Sequence, residues 1–111
     1  MERNELLDRF FELKCKQMLL KLWLTAFAKP GYVGSEAGLC MEHMSVQAKL
    51  ENIEEEMLEL LKANEAFFRS ADLEGYCREY KISMDRQKEI SKEILGREYT
   101  VEDLFEKAER R

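Results

Sequence analysis

The side chains best suited to bind a soft metal ion are one histidine and three cysteines, and two of these four stand close together. Cys40 and His43 are three residues apart, so they share one side of a helix. Cys15 and Cys77 would have to complete a Cys₃His zinc site from distant parts of the chain. Structural zinc sites usually take their ligands in two close pairs, and only one such pair exists here. We therefore expect no metal ion and no cofactor, with the cysteines acting as small buried hydrophobic residues.

A run of glutamates is the second candidate for chemistry, and it consists of Glu51, Glu54, Glu55, Glu56 and Glu59. A Glu-x-x-Glu spacing can hold Mg²⁺ on a helix, whereas di-iron bundles need Glu-x-x-His, which the sequence lacks. The sequence also has no Gly-x-x-x-x-Gly-Lys phosphate loop and no Gly-x-Ser-x-Gly nucleophile elbow. These patterns predict a solvated helix face rather than an active site, and a protein that is not an enzyme.

Two segments have features of nucleic-acid-binding elements. Gly31 and Gly34 are spaced as in the loop of KH domains, but that fold needs strands, which the pattern does not predict. The segment 72–95 could form a helix-turn-helix. Its second helix would carry Arg86, Lys88 and Lys92, interleaved with the acidic residues Asp85, Glu89 and Glu93. A nucleic-acid-binding transcriptional regulator is therefore the alternative function, although the interleaved acids weaken the case for binding to nucleic acid.

Composition favours amphipathic helices in a single domain covering residues 1–111. Of the 111 residues, 45% are hydrophobic and 37% are charged, while proline occurs once and glycine five times. The net charge is −5 and no segment is strongly basic, so the electrostatic signature of nucleic-acid binding is missing. The most apolar run, Met18 to Ala28, contains Lys21 and is much shorter than the ~20 residues of a membrane span. With its polar start and scattered cysteines, the chain is expected in the cytoplasm without a membrane contact.

The first helix is predicted from about Asn4 to Ala28. Apolar residues recur at three- and four-residue spacing along one side of this helix: Leu7, Phe11, Cys15, Met18, Leu22 and Ala26. From Met18 onward the other sides are apolar as well, through Leu19, Leu20, Trp23, Leu24 and Phe27. A helix without a solvent-facing side must be covered all round, so its second half is predicted to form the centre of the fold. Lys29-Pro30-Gly31 should end it.

The second helix is predicted from Glu36 to Arg69, a length of roughly 50 Å at ~1.5 Å per residue. It carries four heptads with apolar residues at seven of nine positions, which we name the heptad seam: Leu39, His43, Val46, Leu50, Ile53, Met57, Leu60, Asn64 and Phe67. This helix is longer than a small domain needs, and a polar residue such as Asn64 can fix coiled-coil register. We expect the seam to form part of the interface of a homodimer or a higher even oligomer. The alternative is that the first helix covers the seam within the chain and that Asn64 bonds a local backbone group.

Shorter helices are predicted for the remainder, with caps at Asp72, Ser83 and Thr100, a stop at Gly96, and a capping box between Thr100 and Asp103. The helix after Ser83 is predicted to bear Met84, Gln87, Ile90 and Ile94. The sequence thus predicts an all-α helical bundle, made of a long N-terminal helical hairpin and two to three shorter C-terminal helices. The predicted function is a non-enzymatic protein-interaction module, such as an adaptor, small regulator or assembly factor, that self-associates as a dimer and can bind another protein.

Overall fold

The structure is a computed structural model in which residues 3–27, 37–70 and 82–109 are described, with side chains over 5–27, 42–70 and 82–109. Within these ranges there are five α-helices and no strand: α1 (Arg3–Phe27), α2 (Ala37–Ala63), α3 (Glu65–Ser70), α4 (Met84–Leu95) and α5 (Val101–Glu109). The all-α prediction is confirmed. In the same ranges, no helix combines the length and the apolar character needed to cross a bilayer.

Helix α1 lies at the centre of the bundle, because α2 packs on one of its sides and α4 and α5 pack on others. Its inner positions are fully buried at Leu13, Leu19 and Leu20. A narrow strip of α1 still faces solvent, and it consists of Met18, Lys21 and Thr25. The prediction that the second half of this helix has no solvent-facing side is wrong along this strip, since its three neighbours contact other sides of α1.

Helices α1 and α2 run antiparallel. Near the start of α1, Arg9 forms an ion pair with Glu56 in the second half of α2, at 2.9 Å between nitrogen and oxygen. Near the end of α1, Trp23 packs on His43 in the first half of α2, with ring centroids 5.1 Å apart. The predicted stop at Lys29-Pro30-Gly31 lies outside the described residues.

The second helix is shorter than its heptad pattern predicts, because the chain turns at Asn64, between α2 and α3. The amide of Asn64 donates to the backbone carbonyl of Leu60 at 3.1 Å, a local bond that competes with regular helix geometry. The backbone N–H of Phe68 donates to the carbonyl of Asn64 at 3.1 Å, so Asn64 is where the first turn of α3 begins. Helix α2 alone is about 40 Å long at ~1.5 Å per residue.

The caps predicted for the C-terminal helices are confirmed. The hydroxyl of Ser83 accepts from the backbone N–H of Arg86 at 3.2 Å and caps α4. Gly96 ends α4 in the left-handed region, at φ 76°. Thr100 and Asp103 form the reciprocal capping box of α5, with two backbone-to-side-chain bonds of 3.1 Å. The cap predicted at Asp72 lies outside the described residues.

A polar junction joins α4 to α5. The Gln87 side chain donates to the carbonyl of Ile82 at 2.9 Å and accepts from the N–H of Val101 at 3.0 Å. The fully buried Ser91 hydroxyl donates to the carbonyl of Arg97 at 2.6 Å and accepts from the N–H of Tyr99 at 2.9 Å. These bonds fix the turn between the helices, which in turn places the fully buried Leu104 of α5 in the core.

Candidate functional site

The heptad seam, the predicted site of contact between copies, takes part in the core of the single chain. Val46, Leu50, Ile53 and Met57 are all buried and belong to the same apolar cluster as the inner side of α1. His43, Leu60, Asn64 and Phe67 are half-buried, and the side chain of Leu39 lies outside the description. The described part of the seam therefore follows the alternative arrangement, in which α1 covers it within the chain. That the seam also joins two copies stays a prediction.

The soft cluster around His43 is described only from residue 42 onward. The His43 ring packs on Trp23, while the neighbouring Glu42 and Met44 are exposed. Cys15 is buried in α1, and burial raises the pKa of its thiol to about 11, so the thiol is neutral at physiological pH. Among residues 5–27, 42–70 and 82–109, no three His, Cys, Asp or Glu side chains are placed to hold a metal ion. The side chains of Cys40 and Cys77 lie outside the description.

The glutamate run is a solvated helix face, as predicted. All five side chains are exposed. Two of them contact α1: Glu56 pairs with Arg9, and Glu54 accepts from the amide of Gln17 at 3.3 Å. The other three, Glu51, Glu55 and Glu59, form no ion pair with any described residue.

The helix-turn-helix predicted near 72–95 is described only from residue 82 onward. Its most prominent basic residue, Arg86, forms ion pairs with Glu89 at 3.0 Å and with Glu12 of α1 at 3.3 Å. The hydrogen bond to Glu89 raises the pKa of Arg86 further, so the guanidinium stays charged and paired. Lys88 and Lys92 are exposed on the same helix. The described surface of α4 is therefore one of mixed charge.

Five large apolar side chains lie on the described surface: Met18, Met44, Leu58, Met84 and Phe105. Met84 is 53% exposed, whereas Ile90 and Ile94 of the same helix are buried. Met18 is 41% exposed and Leu58 is 49% exposed. These two belong to rows of residues at three- and four-residue spacing, one on α1 and one on α2. The α1 row is Lys14, Met18 and Lys21, and the α2 row is Glu51, Glu54 and Leu58.

These two rows border each other, and together we call them the two-helix face. The Lys14 ammonium donates to the side chain of Gln17 at 3.1 Å, and Gln17 in turn donates to Glu54. This chain of bonds crosses from α1 to α2 and places the rows on the same side of the helix pair. Sequence periodicity could have found each row, but only the antiparallel packing shows that they are neighbours.

Comparison of the chain with protein-family models, with curated proteins and with solved structures gives no match.

Proposed function

We propose that this protein acts by binding rather than by catalysis, as a self-associating helical bundle that serves as an adaptor, small regulator or assembly factor in the cytoplasm. The observation that carries the proposal is the contrast between the seam and the surface of the same two helices. The seam is closed by α1, while Met18 and Leu58 stay on the surface beside it. Large apolar side chains grouped on one face are typical of interaction sites.

The reactive side chains are packed or hydrogen-bonded within the fold, which supports a binding role rather than catalysis. The only histidine packs against an indole ring, and the Cys15 thiol is buried and neutral. Both polar networks, Lys14–Gln17–Glu54 and the α4–α5 junction, bond side chains to neighbouring helices or to the backbone. In each case the side chain's packing or hydrogen bonds stabilise the fold. A stable fold is what a scaffold for binding requires.

Self-association in this proposal uses surface that the folded chain leaves open. A seam residue such as Leu50, which is 8% exposed, can meet a second copy only if α1 first separates from α2. Such opening would expose most of the apolar core to water. An exposed face requires no such opening, so a dimer can form from two folded chains.

Sedimentation equilibrium of the full chain tests the proposal, with samples from below one micromolar to above one hundred micromolar. We expect a concentration-dependent transition from monomer to dimer. A gel-shift series in rising salt, with double-stranded DNA and single-stranded RNA as probes, distinguishes the proposed function from the nucleic-acid-binding alternative. Tight binding that weakens steeply as salt rises would favour a nucleic-acid-binding regulator, because phosphate contacts release counterions.

A monomer throughout the concentration range, together with such salt-dependent binding, would overturn the proposal in favour of the alternative.

A further inference from the structure

The two-helix face carries opposite charge on its two rows. Lys14 and Lys21 make the α1 row basic, and Glu51 and Glu54 make the α2 row acidic. Lys14 and Glu54 are both bonded to Gln17, which lies between them. Lys21 and Glu51 form no ion pair with any residue in the described ranges, so both charges are open to a partner.

A face with one basic row beside one acidic row is complementary to itself. If a second copy is related by a two-fold axis that lies in the face and parallel to the helices, its α1 row covers the first copy's α2 row, and the reverse. The basic row of each copy then lies on the acidic row of the other. The same contact therefore occurs twice, as in any isologous interface. The two-fold axis perpendicular to the helices would instead bring lysine onto lysine and glutamate onto glutamate, and like charges across an interface are strongly unfavourable.

We propose that the two-helix face is the homodimer interface, with the α1 row of each copy packed on the α2 row of the other to form a four-helix core. This inference rests on the proposed function and specifies the surface that it uses. The apolar residues of the rows fit the same arrangement. Met18 and Leu58 are about half-exposed in the single chain and would be covered in the dimer, and methionine adapts its shape to irregular contacts.

A second copy fits this face better than an unrelated basic helix does. A basic helix would satisfy Glu51 and Glu54 but would place positive charge beside Lys14 and Lys21. An acidic helix would satisfy Lys14 and Lys21 but would place negative charge beside Glu51 and Glu54. Only a surface with both rows in the same order neutralises all four charges, and the chain itself provides that surface.

Charge-reversed variants of the full chain test the proposal. The first variant carries Lys14→Glu and Lys21→Glu, which makes both rows acidic. The second carries Glu51→Lys and Glu54→Lys, which makes both rows basic. The matched controls are Lys88→Glu with Lys92→Glu on α4, and Glu106→Lys with Glu109→Lys on α5. Each control makes the same charge change away from the face, at exposed residues.

We expect each face variant alone to dimerise at least about tenfold more weakly than the wild type, because like charges then meet across the interface. An equimolar mixture of the two face variants should associate again, since an acidic face meets a basic one. Both controls should dimerise as the wild type does. Far-UV circular dichroism of each variant verifies that the fold is retained.

Three outcomes would overturn the proposal, and they differ in what else they affect. If the wild type dimerises but the face variants dimerise equally well, the interface lies elsewhere and the proposed function stands. If the wild type is a monomer, self-association fails together with this interface. If a face variant fails to fold, salt provides the second measurement: raising it from about 50 mM to about 500 mM should weaken the wild-type dimer by screening the ion pairs. A dimer unaffected by salt would also contradict the proposal.

Discussion

The α1–α2 contact and the α4–α5 junction hold their helices together by different means. Between α1 and α2, burial of apolar side chains along the heptad seam dominates, and polar bonds lie at the edges. Between α4 and α5, two polar side chains, the half-buried Gln87 and the buried Ser91, bond to backbone groups at the turn. The first contact is non-directional and accumulates along the length of the helices. The second is directional and depends on single atoms.

This difference predicts how each region fails. Apolar burial contributes in proportion to area, so the seam should tolerate a change of shape better than the introduction of a charge. A directional bond is lost when one atom is removed, whatever the volume of the replacement. The four predictions that follow separate the two regions, beginning with the largest expected effect.

A charge placed in the seam should unfold the whole chain. We expect Leu50→Asp to abolish the cooperative thermal transition, because the carboxylate would be buried without a partner in the core that α1 and α2 share. Circular dichroism and thermal melting measure this. The matched control is Asn52→Asp, the same charge placed at an exposed position two residues away. A folded, cooperative Leu50→Asp monomer would show instead that the seam belongs between copies.

Removal of the indole at the end of the α1–α2 contact should cost much stability without abolishing the fold. Trp23 is buried and packs on both Phe27 and His43. We expect Trp23→Ala to lower the free energy of unfolding by about 3–5 kcal/mol, the range for large buried aromatic side chains. Urea titration measures the change, and Phe105→Ala, at an exposed aromatic residue, should give a much smaller loss. A wild-type Trp emission maximum equal to that of free indole in water would contradict the burial.

Loss of one hydroxyl should disrupt the α4–α5 junction. In Ser91→Ala the carbonyl of Arg97 and the N–H of Tyr99 both lose their bond to the buried hydroxyl and keep only the 3.2 Å bond to each other. We expect a loss of about 1–3 kcal/mol, because two hydrogen bonds are lost and each contributes about 0.5–1.5 kcal/mol. Chemical denaturation provides the measurement, with Ser45→Ala at an exposed position of α2 as the control. Equal stability of the two variants would mean that the junction bonds are not important to the fold.

The smallest effect concerns Cys15 and appears only at alkaline pH. Burial raises the pKa of this thiol from 9.0 to about 11 in the folded chain, so the folded state favours the neutral form. The resulting stabilisation is complete below pH 9 and is lost as pH rises through about 11. Urea titrations across this window should show a steeper fall for the wild type than for Cys15→Ala. Parallel curves would indicate that the thiol is accessible to water.

The sequence predicts what depends on neighbours along the chain. The 3.6-residue periodicity located α1 and most of α2, and the identities of Ser83, Gly96 and Thr100 located the helix ends. These features require only local backbone geometry. The same periodicity showed that the heptad seam must be covered, but apolar burial has no direction, so the pattern could not distinguish α1 from a second copy.

Features that depend on distant atoms were missed for the same physical reason. Gln87 stands at a helical position that predicts packing, and its role depends on the N–H of Val101, fourteen residues away. The two-helix face requires the antiparallel pairing of α1 and α2, which no single helix encodes. For Asn64, by contrast, the sequence predicted either a role in register between copies or a local backbone bond, and its amide bonds the carbonyl of Leu60, one turn earlier. A polar residue on an apolar helix side can do either.

The central claim is that α1 covers the heptad seam within one chain while the two-helix face joins two copies. Its most direct test is an isotope-filtered NOE experiment on an equimolar mixture of ¹³C-labelled and unlabelled wild-type protein. The methyl groups of Met18 and Leu58 lie on the two-helix face, and those of Leu50 and Ile53 lie in the seam. We predict intermolecular NOEs to the methyl groups of Met18 and Leu58 and none to those of Leu50 and Ile53. Intermolecular NOEs at Leu50 and Ile53, with none at the face, would contradict the account.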